Sequence, residues 1–158
     1  MNIVYSNLIS NIERELSLVS KRMKGRDGSD MYAEVMVSSA EREALYGYIE
    51  DAVHDILSDI KQFIDIYEET SSGVSFEIVR TRKTSDWTIP EPALLSSIRR
   101  YIVSACIYTY LSPLYEVPAR KFGSDSLRAR RDVMELCYHK VPPVSSGLGI
   151  SPTVTFNS

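Results

Sequence analysis

Residues 38–64 read SSAEREALYGYIEDAVHDILSDIKQFI. Ser38 is followed three residues later by Glu41, the signature of a capping box: a hydroxyl for the orphan amides of a first turn and a carboxylate that reaches back. Leu45, Ile49, Ala52/Val53, Ile56, Ile60, Phe63/Ile64 and Tyr67 then recur at alternating spacings of three and four. That period predicts one long amphipathic helix over about 39–69. Its opposite face is acidic, with Glu43, Glu50, Asp51, Asp55, Asp59 and Asp65.

Working outward towards the N-terminus, Ile3, Leu8, Ile12, Leu16, Val19 and Met23 predict a helix over 3–24. Gly25 stops it, and a polar turn over 26–30 and an extended lead-in over 31–37 follow. On the other side, Thr70-Ser71-Ser72-Gly73 breaks the long helix. Val74, Phe76 and Ile78 alternate with Ser75 and Glu77, a strand pattern. Trp87-Thr88-Ile89 reads as its return, giving a hairpin over about 74–89 that needs helices to pack on.

Pro90-Glu91-Pro92 fits the start of a third helix, because proline is tolerated in a first turn. Leu94/Leu95, Ile98, Tyr101/Ile102, Ala105 and Leu111 form its apolar face, and Pro113 ends it. Pro118 opens a fourth helix running to about His139, with Ala119, Phe122, Ser126, Ala129, Val133 and Leu136/Cys137 inward. The small side chains at 126 and 129 predict close helix–helix approach. Arg120, Lys121, Arg128, Arg130 and Arg131 occupy the rest of that helix, and Pro142-Pro143 ends it. The fold class is therefore mainly α: a four-helix domain over 1–140 with a small β-hairpin, followed by an extended C-terminal arm over 141–158.

The arm, VPPVSSGLGISPTVTFNS, has no charged side chain. Gly147, Gly149 and Pro152 exclude a helix, while Val154, Thr155 and Phe156 favour a strand. Such a segment gains by adding to an exposed sheet edge, where the backbone bonds and alternate side chains find pockets. Leu148, Ile150, Val154 and Phe156 are the candidate partner-binding residues. Packing of the arm on its own domain, or a flexible tail, is the alternative.

The 158 residues carry a net charge of −3 that hides an asymmetry. Residues 1–70 hold 7 Lys and Arg against 14 Asp and Glu (−7), and residues 71–158 hold 11 against 7 (+4). Such a split favours packing of one copy on the next, acidic surface to basic surface, or neutralisation within the chain. The candidate inter-subunit residues are Glu50, Asp51, Asp55 and Asp59 on helix two, facing Arg120, Lys121, Arg128 and Arg131 on helix four. Ten tyrosines against one tryptophan suit an interface or the edge of a core.

No catalytic constellation emerges. The segment Gly25-Arg26-Asp27-Gly28 lacks the lysine and hydroxyl of a phosphate loop. His54 sits beside Asp51 and Asp55, with Glu50 one turn back, but that set falls on a solvated polar face. Cys137 and His139 diverge by about 200° on a helix of 3.6 residues per turn. Neither a metal nor a cofactor is expected, and the chain is not expected to be an enzyme. Cys106 and Cys137 read as small buried hydrophobes in a reducing compartment. The N-terminal stretch lacks the features of a signal peptide. The uncharged run Tyr101 to Tyr115, interrupted by Ser104 and Pro113, is too short to cross a membrane. The basic stretch 120–131 offers phosphate contacts, opposed by a pI of about 5.4 and the acidic long helix.

Two stretches carry a resemblance: residues 38–64, quoted above, and "IRRYIVSACIYTYL…ARKFGSDSLRARRDVMELCYHKVPP", residues 98–143. Their pattern and order resemble the small head–tail connector (adaptor) and neck proteins of tailed bacteriophages, over about residues 35–145. They are also similar to small structural proteins of phages and prophages from gut Bacteroidetes. The resemblance implies a virion protein, made in the host cytoplasm, that forms a homo-oligomeric ring, commonly of twelve copies, beneath the portal. It also implies passage of DNA through the ring and docking of the C-terminal arm on the portal or a neighbouring neck or tail protein. The N-terminal helix departs from the shorter members of that group. Two other functions fit the residues without the resemblance: a cytosolic helical regulator that binds another protein, and a nucleic-acid-binding module using helix four.

Overall fold

A computed structural model describes residues 1–23, 37–78 and 90–138. In chain order the elements are β1 (Asn2–Val4), α1 (Tyr5–Ser20), α2 (Ser39–Asp59), a single 3-10 turn (Lys61–Phe63), β2 (Ile64–Thr70), β3 (Gly73–Ile78), α3 (Glu91–Leu111) and α4 (Glu116–Tyr138). The protein is mainly α, four helices with a small antiparallel sheet.

α2 starts where the capping box places it. The Ser38 amide donates to Glu41 Oε2 at 2.7 Å, and the Glu41 amide donates to Ser38 Oγ at 3.3 Å. The helix ends ten residues before the expected position. Ile60, Phe63 and Tyr67 keep a helical spacing, but Ile64 and Ile66 also alternate, and the run is rich in β-branched and aromatic side chains. The 3-10 turn over 61–63 breaks the helix, and Ile64–Thr70 becomes a strand. Its partner is β3, reached through the two-residue turn Ser71-Ser72, with Tyr67 opposite Phe76 and Thr70 opposite Gly73. Among the described residues the hairpin is formed by 64–70 with 73–78; the return strand expected at 87–89 is not among them.

The third strand comes from the N-terminus. Asn2, Ile3 and Val4 pair with Ser75, Val74 and Gly73, so the strand order is β1-β3-β2 and the first helix begins at Tyr5 rather than residue 3. β3 is central because Val74, Phe76 and Ile78 are all buried, and only a strand flanked on both sides satisfies its backbone groups. Gly73 makes the close approach possible: a Cβ there would sit 2.1 Å from the Ile3 carbonyl oxygen.

α3 is the axis of the molecule and packs against α4, α2 and α1. It carries Leu94, Ile98, Ile102, Cys106, Ile107 and Leu111 into the core, an apolar surface too broad for one neighbour. Against it α4 sets Ala119, Phe122, Ser126, Ala129, Val133 and Cys137, all buried, as the small-residue spacing predicted. Gly123 adds to that close approach, with the Tyr108 ring 3.1 Å from where its Cβ would lie. Leu45, Ile49, Val53 and Ile56 of α2 and Leu8, Ile12 and Leu16 of α1 complete one continuous core. Both cysteines lie in it as free thiols, pushed up to about 12 by burial and, at Cys106, also by the charge of Asp51.

Candidate functional site

The charged residues of α2 and α4 divide into a paired set and an unpaired set. The paired set lies where α2, α3 and α4 meet. Arg130 Nε donates to Asp59 Oδ2 at 2.7 Å and its Nη2 to Asp59 Oδ1 at 2.9 Å. Its Nη1 reaches Asp55 Oδ2 at 2.9 Å. The Tyr101 hydroxyl donates to the same Asp55 carboxylate, and the Arg130 guanidinium lies 5.9 Å from the centre of the Tyr101 ring. Asp55 and Asp59, expected to face a neighbouring copy, are thus engaged by their own α4. Their partner, Arg130, was legible only as one of five cations on that helix.

Of the other residues expected at the interface, Arg120 pairs with Glu116 one turn back at 2.7 Å, and Lys121 lies 5.7 Å from the Phe122 ring centre. Glu50 and Asp51 are exposed. Arg128 and Arg131 are exposed and find no ion-pair partner among the described residues. Three residues apart, they share the outward face of α4. Apolar side chains accompany them: Val117 is 79% exposed, Leu127 68%, and Leu114 in the α3–α4 corner 73%.

A second surface is acidic and follows β2. Six of its seven residues are exposed, among them Asp65, Glu68 and Glu69 with Ile66 and Tyr67. His54 Nε2 lies 2.9 Å from Glu69 Oε1, and the Tyr67 hydroxyl donates to Glu69 Oε2 at 2.8 Å. These bonds, Tyr67's first, hold the Glu69 carboxyl below the usual carboxylate range. Beside them, between β2 and the end of α2, is a cavity of about 440 Å³ lined by His54, Leu57, Lys61, Ile64, Asp65 and Tyr67.

A third feature is a groove of about 310 Å³ among α1, α3 and α4, where Arg14, Arg99, Arg100 and Lys121 meet Glu15 and Asp125. Arg100 is bound to Asp132, and Arg99 donates to the Asn2 carbonyl at 3.0 Å. Among the described residues, no group of three or more His, Cys, Asp and Glu is arranged to hold a metal ion. No helix among them is long and apolar enough to cross a membrane. Leu148, Ile150, Val154 and Phe156, with the rest of the arm, lie outside the described residues.

Comparison with protein-family models, curated proteins and solved structures finds no match to this chain.

Proposed function

We propose that this chain is a structural subunit that works by packing against copies of itself, as a head–tail connector ring of a tailed phage does. The observation that carries the reading is the outward face of α4. It presents Arg128 and Arg131 without ion-pair partners among the described residues, and along the same side of the helix Val117 and Leu127, each more than two-thirds exposed. Exposed apolar side chains and arginine on one helix face are a composition that protein interfaces favour. The surface complementary in sign is the carboxylate-bearing side of α2 and β2, with Glu50, Asp51, Asp65 and Glu68. Two different surfaces that attract each other make a head-to-tail contact, which closes into a ring when the rotation per subunit allows.

Light scattering and native mass measurement on the purified chain, alone and with a portal protein, test this. A closed particle of defined copy number is expected, and Arg128→Glu with Arg131→Glu should abolish it while leaving helical content unchanged. A monomer or dimer in every mixture, indifferent to salt and to the reversal, would instead support a helical regulator of another protein. The groove bearing Arg14, Arg99, Arg100 and Lys121 favours a second reading, contact with nucleic acid. Tight DNA binding that weakens steeply with salt and fails in Arg99→Glu with Lys121→Glu would establish it.

A further inference from the structure

We propose that the open edge of β2 receives residues 150–156 from the arm of a second copy as a fourth strand, with Val154 and Phe156 turned towards the cavity beside it. β2 lies at one border of the sheet, and its far side has no strand among the described residues. A seven-residue edge whose side chains are nearly all exposed is a template for another chain, which natural sheets normally cover or blunt. The other border, β1, is three residues long and offers too little ladder.

The cavity supplies the second half of a strand-addition site. It lies against β2 itself, through Ile64, Asp65 and Tyr67, and is lined on the α2 side by His54 and Leu57. Its volume of about 440 Å³ falls within the range of pockets that take up large side chains or small ligands. Residues two apart on an added strand face the same side, so Val154 and Phe156 would present together.

Charge decides among candidate strands. Two β2 edges meeting would bring Asp65, Glu68 and Glu69 of one copy close to those of the other, an arrangement that like charges oppose. The uncharged arm carries no such penalty. The length of chain beyond α4 allows the arm to serve another copy. At the end of α4, Tyr138 packs edge-on against Phe63, ring centroids 4.9 Å apart, and its hydroxyl is bound by Gln62. The arm therefore leaves the domain beside the start of β2. The eleven residues 139–149 reach up to about 40 Å, whereas β2 is about 23 Å long. A spacer with that maximum reach is long enough to bring residues 150–156 to the β2 edge of a neighbouring copy.

The assignment rests on the connector reading only for the partner being a second copy, and one set of measurements separates the two. The sample is the full chain carrying Val154→Asp and Phe156→Asp, with hydrogen exchange read at amides 64–70 and, as a folding control, in α3. The outward amides of β2 are expected to exchange about tenfold faster than in the unsubstituted chain. A synthetic peptide of residues 148–158 should restore protection, and the same peptide with both aspartates should not. In the unsubstituted chain the protection should grow with protein concentration. Protection independent of concentration would assign the edge to the chain's own arm and overturn the proposal, as would a peptide that leaves 64–70 unchanged. Light scattering on the same samples reports the ring separately. Rings that persist with β2 unprotected end this proposal and keep the connector. Peptide-protected β2 without rings at any concentration does the reverse.

Discussion

Arg130 on α4 is forked onto Asp59 of α2, Nε to Oδ2 at 2.7 Å and Nη2 to Oδ1 at 2.9 Å. The planar guanidinium matches the carboxylate, a fit that lysine does not offer. The Asp59 side chain is 21% exposed, so deleting its partner strands a half-buried charge. Arg130→Met is expected to lower stability by about 1–2 kcal/mol, and Arg130→Lys to recover only part of it. Urea unfolding followed by helical signal measures both.

Gly73 is the position where the sheet tolerates no side chain. A Cβ would lie 2.1 Å from the Ile3 oxygen, and the residue's φ of +155° is one that other residues rarely adopt. Gly73→Ala is expected to cost about 2–3 kcal/mol and to detach β1 first, because the clash is with that strand. Hydrogen exchange at residues 2–4 and 73–76 would show the loss ahead of any change in α3.

The capping box at Ser38 gives a prediction that depends on pH. The backbone bond from Ser38, then the Ser38 hydroxyl, hold the Glu41 carboxyl below the usual carboxylate range, with a further bond from Tyr110 at 3.2 Å. A lowered carboxylate contributes stability that is complete above its unfolded pKa and disappears as pH falls through the folded one. Ser38→Ala should cost about 1 kcal/mol near neutrality, and the difference from the parent should shrink on acidification through the carboxylate range. Thermal melts at a series of pH values test the trend.

At the alkaline end the sign reverses. Burial, reinforced by nearby carboxylates, pushes Tyr5 and Tyr110 up to about 12, and burial with the Asp55 bond pushes Tyr101 up further. Their contribution is complete below the ordinary tyrosine pKa near 10 and is lost as pH rises through the folded values. Absorbance titration should therefore show a late group of tyrosines whose ionisation coincides with unfolding. The thiols of Cys106 and Cys137 should resist labelling at pH 8 until the chain is unfolded.

Tyr5 carries the one buried side-chain polar atom without a hydrogen-bond partner among the described residues, its hydroxyl. Removing an unsatisfied buried group relieves desolvation without breaking a bond. Tyr5→Phe should leave stability unchanged or raise it by up to about 1 kcal/mol, as calorimetry would show.

The helices were legible because their periods admit one answer. The capping box located the start of α2 to the residue, and Ser126 and Ala129 gave the close packing of α4 on α3. The run 60–67 was not, because Ile60, Phe63, Ile64 and Tyr67 satisfy a helix while Ile64 and Ile66 satisfy a strand. What decides it is Val74–Ile78, a buried strand that needs partners on both sides, and that requirement is tertiary. Asn2–Val4 is three residues long, too short for alternation to register against the helix that follows. The charge asymmetry between the two halves of the chain was plain, but which carboxylates meet which arginines was not. Whether Asp55 and Asp59 turn inward depends on the rotation of α2 about its axis against α3, which residue counts do not contain.

The sheet joins two stretches some seventy residues apart in the chain, since Asn2 lies opposite Ser75. During translation, Asn2–Val4 emerges some seventy residues before β3 and must wait for it before its ladder can form. The α3–α4 pair, adjacent in sequence and the most extensive contact among the described elements, can assemble locally as soon as it leaves the ribosome. The helical hairpin made after the sheet strands would thus be the earlier stable unit, and β1, made before its partner, would find its place later.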